Sequence, residues 1–246
     1  MKKGVLVTGG GHGIGKQICL DFLECGDSVC FMDFDEKRSK EFAAEHPNLF
    51  YFYGDAADPE SLQNFVSFAV EKLGRIDVLI NNACRGNHGI LSDLDYEGFD
   101  YVLSVGLKAP YELSRLCKAE LIRNRGRIVN IASTRAFQSE PDSEAYASAK
   151  GGIVALTHAL AMSLGPDVLV NCIAPGWINV EEHAEFSQAD KAAIPAGKVG
   201  TPKDISGMVQ YLCSQDFMTG ETVTIDGGMS KRMIYHGDWN WQYTVR

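Results

Sequence analysis

The apolar run Val5-Leu6-Val7-Thr8 ends in Gly9-Gly10-Gly11-His12-Gly13-Ile14-Gly15 and passes straight into Lys16-Gln17-Ile18-Cys19-Leu20-Asp21-Phe22-Leu23, apolar at helical spacing. This order reads as strand, tight turn, helix. Glycines let backbone approach a ligand with no Cβ in the way, and the free N–H groups at a helix start favour an anion such as a pyrophosphate. Glycines at 9, 13 and 15 give G-x-x-x-G-x-G, which differs from the common dinucleotide spacing G-x-G-x-x-G. Gly10 to Lys16 also reads G-x-x-x-x-G-K, but Gln17 stands where a magnesium-binding hydroxyl belongs. On its own the turn fits a dinucleotide, a nucleoside triphosphate or a plain structural role.

A chain of 246 residues, 45 % hydrophobic, is long enough to bury one large core. Its net charge of −9 argues against a nucleic-acid partner, which needs clustered Lys and Arg. No apolar run is long enough for a secretory signal or a membrane span, so a cytoplasmic protein without a membrane partner is expected. The seven cysteines are scattered with no C-x-x-C, which predicts reduced thiols. The six histidines form no ligand pair, and no metal site is expected.

Buried strands are predicted at Val5 to Thr8, Ser28 to Asp33, Leu49 to Gly54, Ile76 to Ile80, Arg127 to Ile131, Val168 to Cys172 and Thr222 to Ile225. Helical spacing follows the glycine turn and recurs at Glu36 to Ala44, Pro59 to Leu73, Phe99 to Ser104, Lys108 to Arg123, Glu144 to Leu164 and Pro202 to Cys213. Alternating strands and helices predict an α/β fold, one doubly wound domain over 1–246 with a parallel sheet covered on both faces. The weakly periodic stretch 178–199 is the natural lid over a substrate, and 231–246, with Trp239 and Trp241, is a tail.

In such a sheet ligands bind beyond the carboxyl ends of the strands. Asp33 ends the second strand, eighteen residues past Gly15, where an acidic side chain accepts the hydroxyls of an adenosine ribose; a surface turn is its bland alternative. Asp55-Ala56 follows the third strand. Asn81-Asn82-Ala83-Cys84 follows the fourth, the asparagines being either turn formers or partners of a ribose and adenine. Ser133 follows the fifth. Tyr146 and Lys150 then share one face of a helix, a pairing that is weak alone and gains weight from the strand-end serine.

Taken jointly, Thr8-Gly9-x-x-x-Gly13-Ile14-Gly15, Asn81-Asn82-Ala83, Ser133, Tyr146-x-x-x-Lys150, Asn171-x-x-x-Pro175-Gly176 and Ile225-Asp226-Gly227-Gly228 resemble the short-chain dehydrogenase/reductase family, over residue 3 to about residue 230. The resemblance implies a Rossmann-type domain of seven parallel strands, a nicotinamide cofactor, and hydride exchange between a secondary alcohol and a ketone. It implies Ser133, Tyr146 and Lys150 as the catalytic set. The cofactor would be held by Gly9, Gly11, His12, Gly13, Ile14, Asp33, Phe34, Asp55, Ala56, Asn82, Ala83, Cys84, Tyr146, Lys150, Pro175, Gly176 and Ile178. It also implies a homotetramer or homodimer, paired through the helices around Pro110 to Leu121 and Ala145 to Leu164, where His158 would pack at an interface. A tyrosine hydroxyl is almost wholly protonated at neutral pH, and a nearby ammonium and an oxidised nicotinamide ring both favour the phenolate that a general base requires.

NAD is the expected cofactor, because Asp33 would repel a 2′-phosphate, Phe34 follows it in place of a cation, and His12 is the only candidate cation in the turn. Arg85, Asn87, His88, Arg135, Gln138 and Glu140 form a hydrogen-bonding set that suggests a polyol or sugar-like alcohol. Three positions depart from the family pattern: Cys84 replaces a glycine, Val180 a threonine, and Gly106 an asparagine that props a proton-carrying water chain. Gly106 is expected to leave a polar void that holds a replacement water, so that Gly106→Asn changes activity little. The competing reading is a non-catalytic NAD-binding sensor or scaffold whose proton path is lost at Gly106.

Overall fold

A computed structural model of the chain describes residues 2–86, 88–181 and 184–240. Strands β1 (Gly4–Thr8), β2 (Ser28–Asp33), β3 (Leu49–Tyr53), β4 (Val78–Asn81), β5 (Arg127–Ile131), β6 (Leu169–Pro175) and β7 (Thr222–Ile225) form one parallel sheet in the order β3-β2-β1-β4-β5-β6-β7. Chain order reverses between β1 and β4, which is where a crevice opens at the strand ends.

Period-two alternation in the strands decides which helix covers which face. Leu6, Cys30, Leu79, Ile128 and Val170 face one way and pack with Leu62, Phe65 and Ala69 of α3 (Pro59–Leu73) and Leu113, Cys117 and Leu121 of α5 (Ala109–Asn124). Val5, Val7, Phe31, Ile80, Val129 and Ile173 face the other way, against Ile18 and Phe22 of α1 (Gly13–Glu24) and Ile205, Val209 and Leu212 of α8 (Pro202–Ser214). Helix starts follow their chemistry. Asp58 accepts hydrogen bonds from the Glu60 and Ser61 amides ahead of Pro59 in the first turn of α3, and Gly74, at φ 71°, ends that helix in the left-handed region.

The remaining helices are α2 (Glu36–Ala44), α4 (Tyr96–Leu103), α6 (Glu144–Leu164) and α7 (Gln188–Ala193). The two helical stretches expected around residues 99 to 123 are joined by a π-helical segment, Ser104–Lys108. Pro110 explains the wider turn, since it has no N–H to give the Gly106 carbonyl four residues back. The region expected to be an irregular lid contains α7, capped by reciprocal hydrogen bonds between Ser187 and Asp190. Asn87, the Trp239 side chain and Trp241 lie outside the described residues.

Among the described residues no helix is long and apolar enough to cross a membrane, and no three His, Cys, Asp or Glu side chains are grouped to hold a metal ion. All seven cysteines are free, and five of them are buried. Burial raises the Cys117 and Cys213 thiols to about 12, so they pack as small hydrophobes.

The α1 and α8 helices are joined by a polar tie at the core edge. Buried Asp21 accepts hydrogen bonds from Lys203 at 2.6 Å and Gln17 at 2.7 Å. Burial opposes ionisation of this carboxyl, but the hydrogen bonds from Lys203, Ser206 and Gln17 outweigh it and hold the group below its usual range. A depressed carboxyl stabilises the fold above its unfolded value of about 4, and that contribution is lost as the pH falls through the lower folded value. Asp21→Asn is therefore expected to cost about 2 kcal/mol at neutral pH. In urea unfolding, its difference from wild type should shrink as the pH is taken from about 5 toward about 2.

Candidate active site

The glycine turn is fixed by hydrogen bonds to the end of β4. The Thr8 hydroxyl accepts the amides of Asn82 at 3.0 Å and Ala83 at 3.1 Å, and the Asn82 side-chain amide donates to the carbonyls of Thr8 and Gly9, both at 3.0 Å. Gly9 and Gly13 have φ of 66° and 54°, and a Cβ on Gly15 would run into the Gly9 carbonyl oxygen. The side-chain nitrogens of both asparagines are thus committed within the protein. Asn81 is buried and donates to Asn130 at 2.8 Å, so the expectation that the two asparagines serve a ribose and adenine is corrected for these nitrogens.

A cavity of about 540 Å³ opens at the strand ends. Gly9 and His12 from the turn, Asp33 and Phe34 after β2, Asp55 and Ala56 after β3, and Asn82, Ala83 and Cys84 after β4 all line it. Asp33 is held in place at both oxygens, by the Gly11 amide at 2.9 Å and the Asp35 amide at 3.0 Å. Asp55 accepts the Tyr101 hydroxyl at 3.1 Å. Gly11, Gly13 and His12 border a second hollow of about 560 Å³, together with Lys16, Arg38 and Val180. Ile14 and Ile178 pack against the α1/α8 core face. Pro175 ends β6, and the Gly176 amide donates to the Ile225 carbonyl at 3.0 Å.

Helix α6 carries Tyr146 and Lys150 and is held on β5 at two heights. Lys150 Nζ donates to the Ile131 carbonyl at 2.7 Å, and Asn130 donates to the Thr157 hydroxyl at 2.9 Å. Seven residues separate these anchors, about 10.5 Å of helix. Ile131 stands two residues before Ser133, whose hydroxyl caps the turn Thr134–Ala136 by accepting the Arg135 amide at 3.2 Å. Lys150 Nζ lies 5.5 Å from the Tyr146 ring centroid. Burial alone would lower the Lys150 ammonium, but facing Cys84, Tyr146 and Cys172, with a hydrogen bond to Cys84, turns the net direction upward and keeps it charged.

The space beside Gly106, where a replacement water is expected, is bordered by a thiol and a methyl. A Cβ placed on Gly106 would lie 2.9 Å from Cys84 Sγ and 2.9 Å from the Ala149 methyl. The thiol that replaces the family's glycine thus borders the point from which the family's asparagine side chain would start. The two departures are neighbours in space, and the expected polar set is redistributed as well. Arg135 pairs with Glu140, and Arg85 turns away to stack over Phe34, 5.8 Å from its ring centroid. The aromatic faces of Phe137 and Trp177, exposed and not foreseen, were hidden in the sequence by their polar neighbours. His158, expected at a subunit interface, is solvent-exposed in the single chain.

A parallel sheet with its glycine turn at the reversal point, a lined crevice, and a Tyr-Lys pair on a helix registered to β5 define a Rossmann-type oxidoreductase. The chain belongs to the short-chain dehydrogenase/reductase family, and the family model described as "Enoyl-(Acyl carrier protein) reductase" matches residues 9–230. It is 40 % identical to an uncharacterized oxidoreductase of Thermotoga maritima over 95 % of this chain and 98 % of that one. It is 32 % identical to L-fucose dehydrogenase of Bos taurus, over 92 % of this chain and 88 % of that one. Among solved structures, an apo SCOR enzyme from Clostridium thermocellum is 79 % identical with a TM-score of 0.97, covering 100 % of both chains. ElxO, solved with NADP bound, is 29 % identical with a TM-score of 0.84, over 94 % of this chain and 100 % of that one. The family binds a nicotinamide cofactor.

Overpacking at 106 has a measurable consequence. Gly106→Asn is expected to destabilise the protein by about 1–3 kcal/mol, and to lower turnover more than about tenfold by displacing Cys84 from Lys150. The pair Cys84→Gly with Gly106→Asn removes the contact with the thiol and leaves the one with Ala149, so it should recover part of both losses, read by thermal unfolding and steady-state rates.

Proposed function

We propose that the protein is an NAD-dependent dehydrogenase interconverting a secondary alcohol and a ketone on a polyol or sugar-like substrate, with Tyr146 as general acid/base. One observation carries the reading: buried, charged Lys150 is fixed against the strand end that leads to Ser133, with the Tyr146 ring beside it. The fit to a dinucleotide rests on the cradle at Gly9, Gly13 and Gly15, where side chains would be strained or would clash, and on the carboxylate of Asp33 fixed at the cavity edge.

A nicotinamide dinucleotide, when bound, supplies the acceptor or donor of hydride. Tyr146 takes the proton of the substrate hydroxyl in oxidation and returns it in reduction. Lys150 places its positive charge beside the Tyr146 ring. Ser133 offers a hydrogen bond to the substrate oxygen as charge develops on it. Gly9, Gly11, His12, Gly13 and Ile14 would hold the pyrophosphate side, Asp33, Phe34, Asp55, Ala56, Asn82, Ala83 and Cys84 the adenosine side and the crevice, and Pro175, Gly176 and Ile178 the nicotinamide side.

A sugar-like substrate suits the exposed aromatic faces of Phe137 and Trp177, and the relative named for L-fucose points the same way. The segment 178–199 closes over it as the lid. Assembly is proposed through the outer faces of α5 and α6, where Tyr111 and Met162 are exposed, as a homodimer or homotetramer.

Reduced-cofactor absorbance should rise when NAD is mixed with a panel of sugars and polyols that includes L-fucose and sorbitol, and Tyr146→Phe should abolish it. Tight NAD binding with no turnover across the panel would instead support the sensor or scaffold reading. Cofactor choice is a separate expectation. Two like charges about 4 Å apart cost at most roughly 4 kcal/mol at an effective dielectric of 20. Arg38 and Arg85 also line the cavity and offset part of that. NAD should still bind more than about tenfold tighter than NADP, a margin of about 1.4 kcal/mol, in fluorescence titration; equal affinities would overturn the choice.

A further inference from the structure

Two carboxylates just ahead of Tyr146 do work that the mechanism above leaves unassigned. After β4 the chain passes the Tyr-Lys pair closely. A Cβ on Gly86 would lie 3.2 Å from the Cβ of Tyr146 and 3.4 Å from its ring. Beyond it the chain forms a single 3-10 turn, Ile90–Ser92.

The first amides of such a turn have no partner within it. Here they are taken from fifty or more residues away. Glu144 accepts the Ile90 amide at 3.1 Å. Asp142 accepts the Leu91 amide at 2.7 Å and the Ser92 amide at 3.0 Å through one oxygen, and the Ser92 hydroxyl at 2.5 Å through the other. Asp142 does this from a left-handed backbone conformation, φ 67°. The Ser92 hydroxyl, then the Ser92, Leu91 and Gly89 amides, hold its carboxyl below the usual range.

Little else fastens the turn. Ile90 is 74 % exposed and Leu91 68 %, so their side chains contribute almost no burial. The same five residues, Glu140 to Glu144, also lead into α6, where the Ala147 amide donates to the Ser143 carbonyl at 2.8 Å and the helix carries Tyr146 two residues past Glu144. One short segment thus sets both the entry of the tyrosine helix and the position of the chain lying against that tyrosine.

We propose that Asp142, assisted by Glu144, is a positioning residue for the alcohol substrate: it fixes the turn Ile90–Ser92 on the chain that carries Gly86 against Tyr146, and substrate affinity depends on it while cofactor affinity does not. This rests on Tyr146 being the acid/base. The cavity assigned to the adenosine side of the cofactor is lined by no residue of the anchored turn, so the bulk of the dinucleotide contacts lie away from it.

Asp142→Gly keeps the left-handed backbone without strain and removes only the carboxylate. With the panel alcohol turned over fastest, it should raise KM at least about fivefold, leave kcat and the NAD dissociation constant within about twofold, and change the melting temperature little. Deuterium exchange at the Leu91 and Ser92 amides should speed up at least about tenfold, a readout that needs no substrate. Asp142→Asn retains an acceptor for both amides and should restore most of the KM, and Ser92→Ala should raise KM in the same direction without touching the α6 entrance. An unchanged KM in both Asp142→Gly and Ser92→Ala, or an equal loss of NAD affinity, would overturn the assignment. Full turnover in Tyr146→Phe would overturn the acid/base reading itself, a different result from either.

Discussion

Close approach of backbone at the head of β1 and β4 is the constraint on which the rest of the structure depends. Thr8 and Asn82 exchange hydrogen bonds across the point where the strand order reverses, and the Asn82 amide reaches both Thr8 and Gly9. That clasp leaves no room for a Cβ at 15, and it puts the start of α1 at the crevice with no side-chain cap on it. The uncapped N–H groups and the partial positive end of the helix therefore lie at the hollow bordered by Gly11, His12 and Gly13, where an anionic group gains most from them.

A second constraint sets the height of the chemistry above the sheet. Without its two polar anchors, α6 could slide along β5, because Ala145, Ala149, Ile153 and Ala161 present a smooth small-residue face to the core. Lys150 on the Ile131 carbonyl and Thr157 on Asn130 remove that freedom. Asn130 is itself held by Asn81, so β4, β5 and α6 share one buried polar chain. Burying these amides is tolerable because their nitrogens are satisfied, and a chain of such bonds specifies one register where apolar packing alone would permit several.

The sequence made the sheet legible because strand burial and helix periodicity are local signals. All seven strands fall within a few residues of where their apolar runs place them, and the acidic and polar residues after β2, β3 and β4 do meet at one cavity. What it hid depends on contacts between distant segments. Nothing local fixes how closely the Cys84 thiol approaches position 106. Arg135 and Glu140 read as free hydrogen-bonding groups and are spent on each other. The π-helical segment escapes because its cause, the missing N–H of Pro110, acts four residues upstream, and α7 escapes because six residues are too few to display a period.

Stability is divided unevenly between the two halves of the site, and the division has a functional logic. The cofactor side is built on strand ends whose side chains belong to the main core, with Ile14 and Ile178 packed directly onto it. The wall beside Tyr146 is held by hydrogen bonds to carboxylates, and Trp177 after β6 makes an edge contact with Phe186. Segments with few buried apolar contacts open at the low end of the local stability range. Each can therefore move or be rebuilt without disturbing the sheet. A dinucleotide-binding frame of this kind can keep one cofactor geometry fixed while the residues facing the alcohol change, because the interactions that fix the first are not the ones that hold the second.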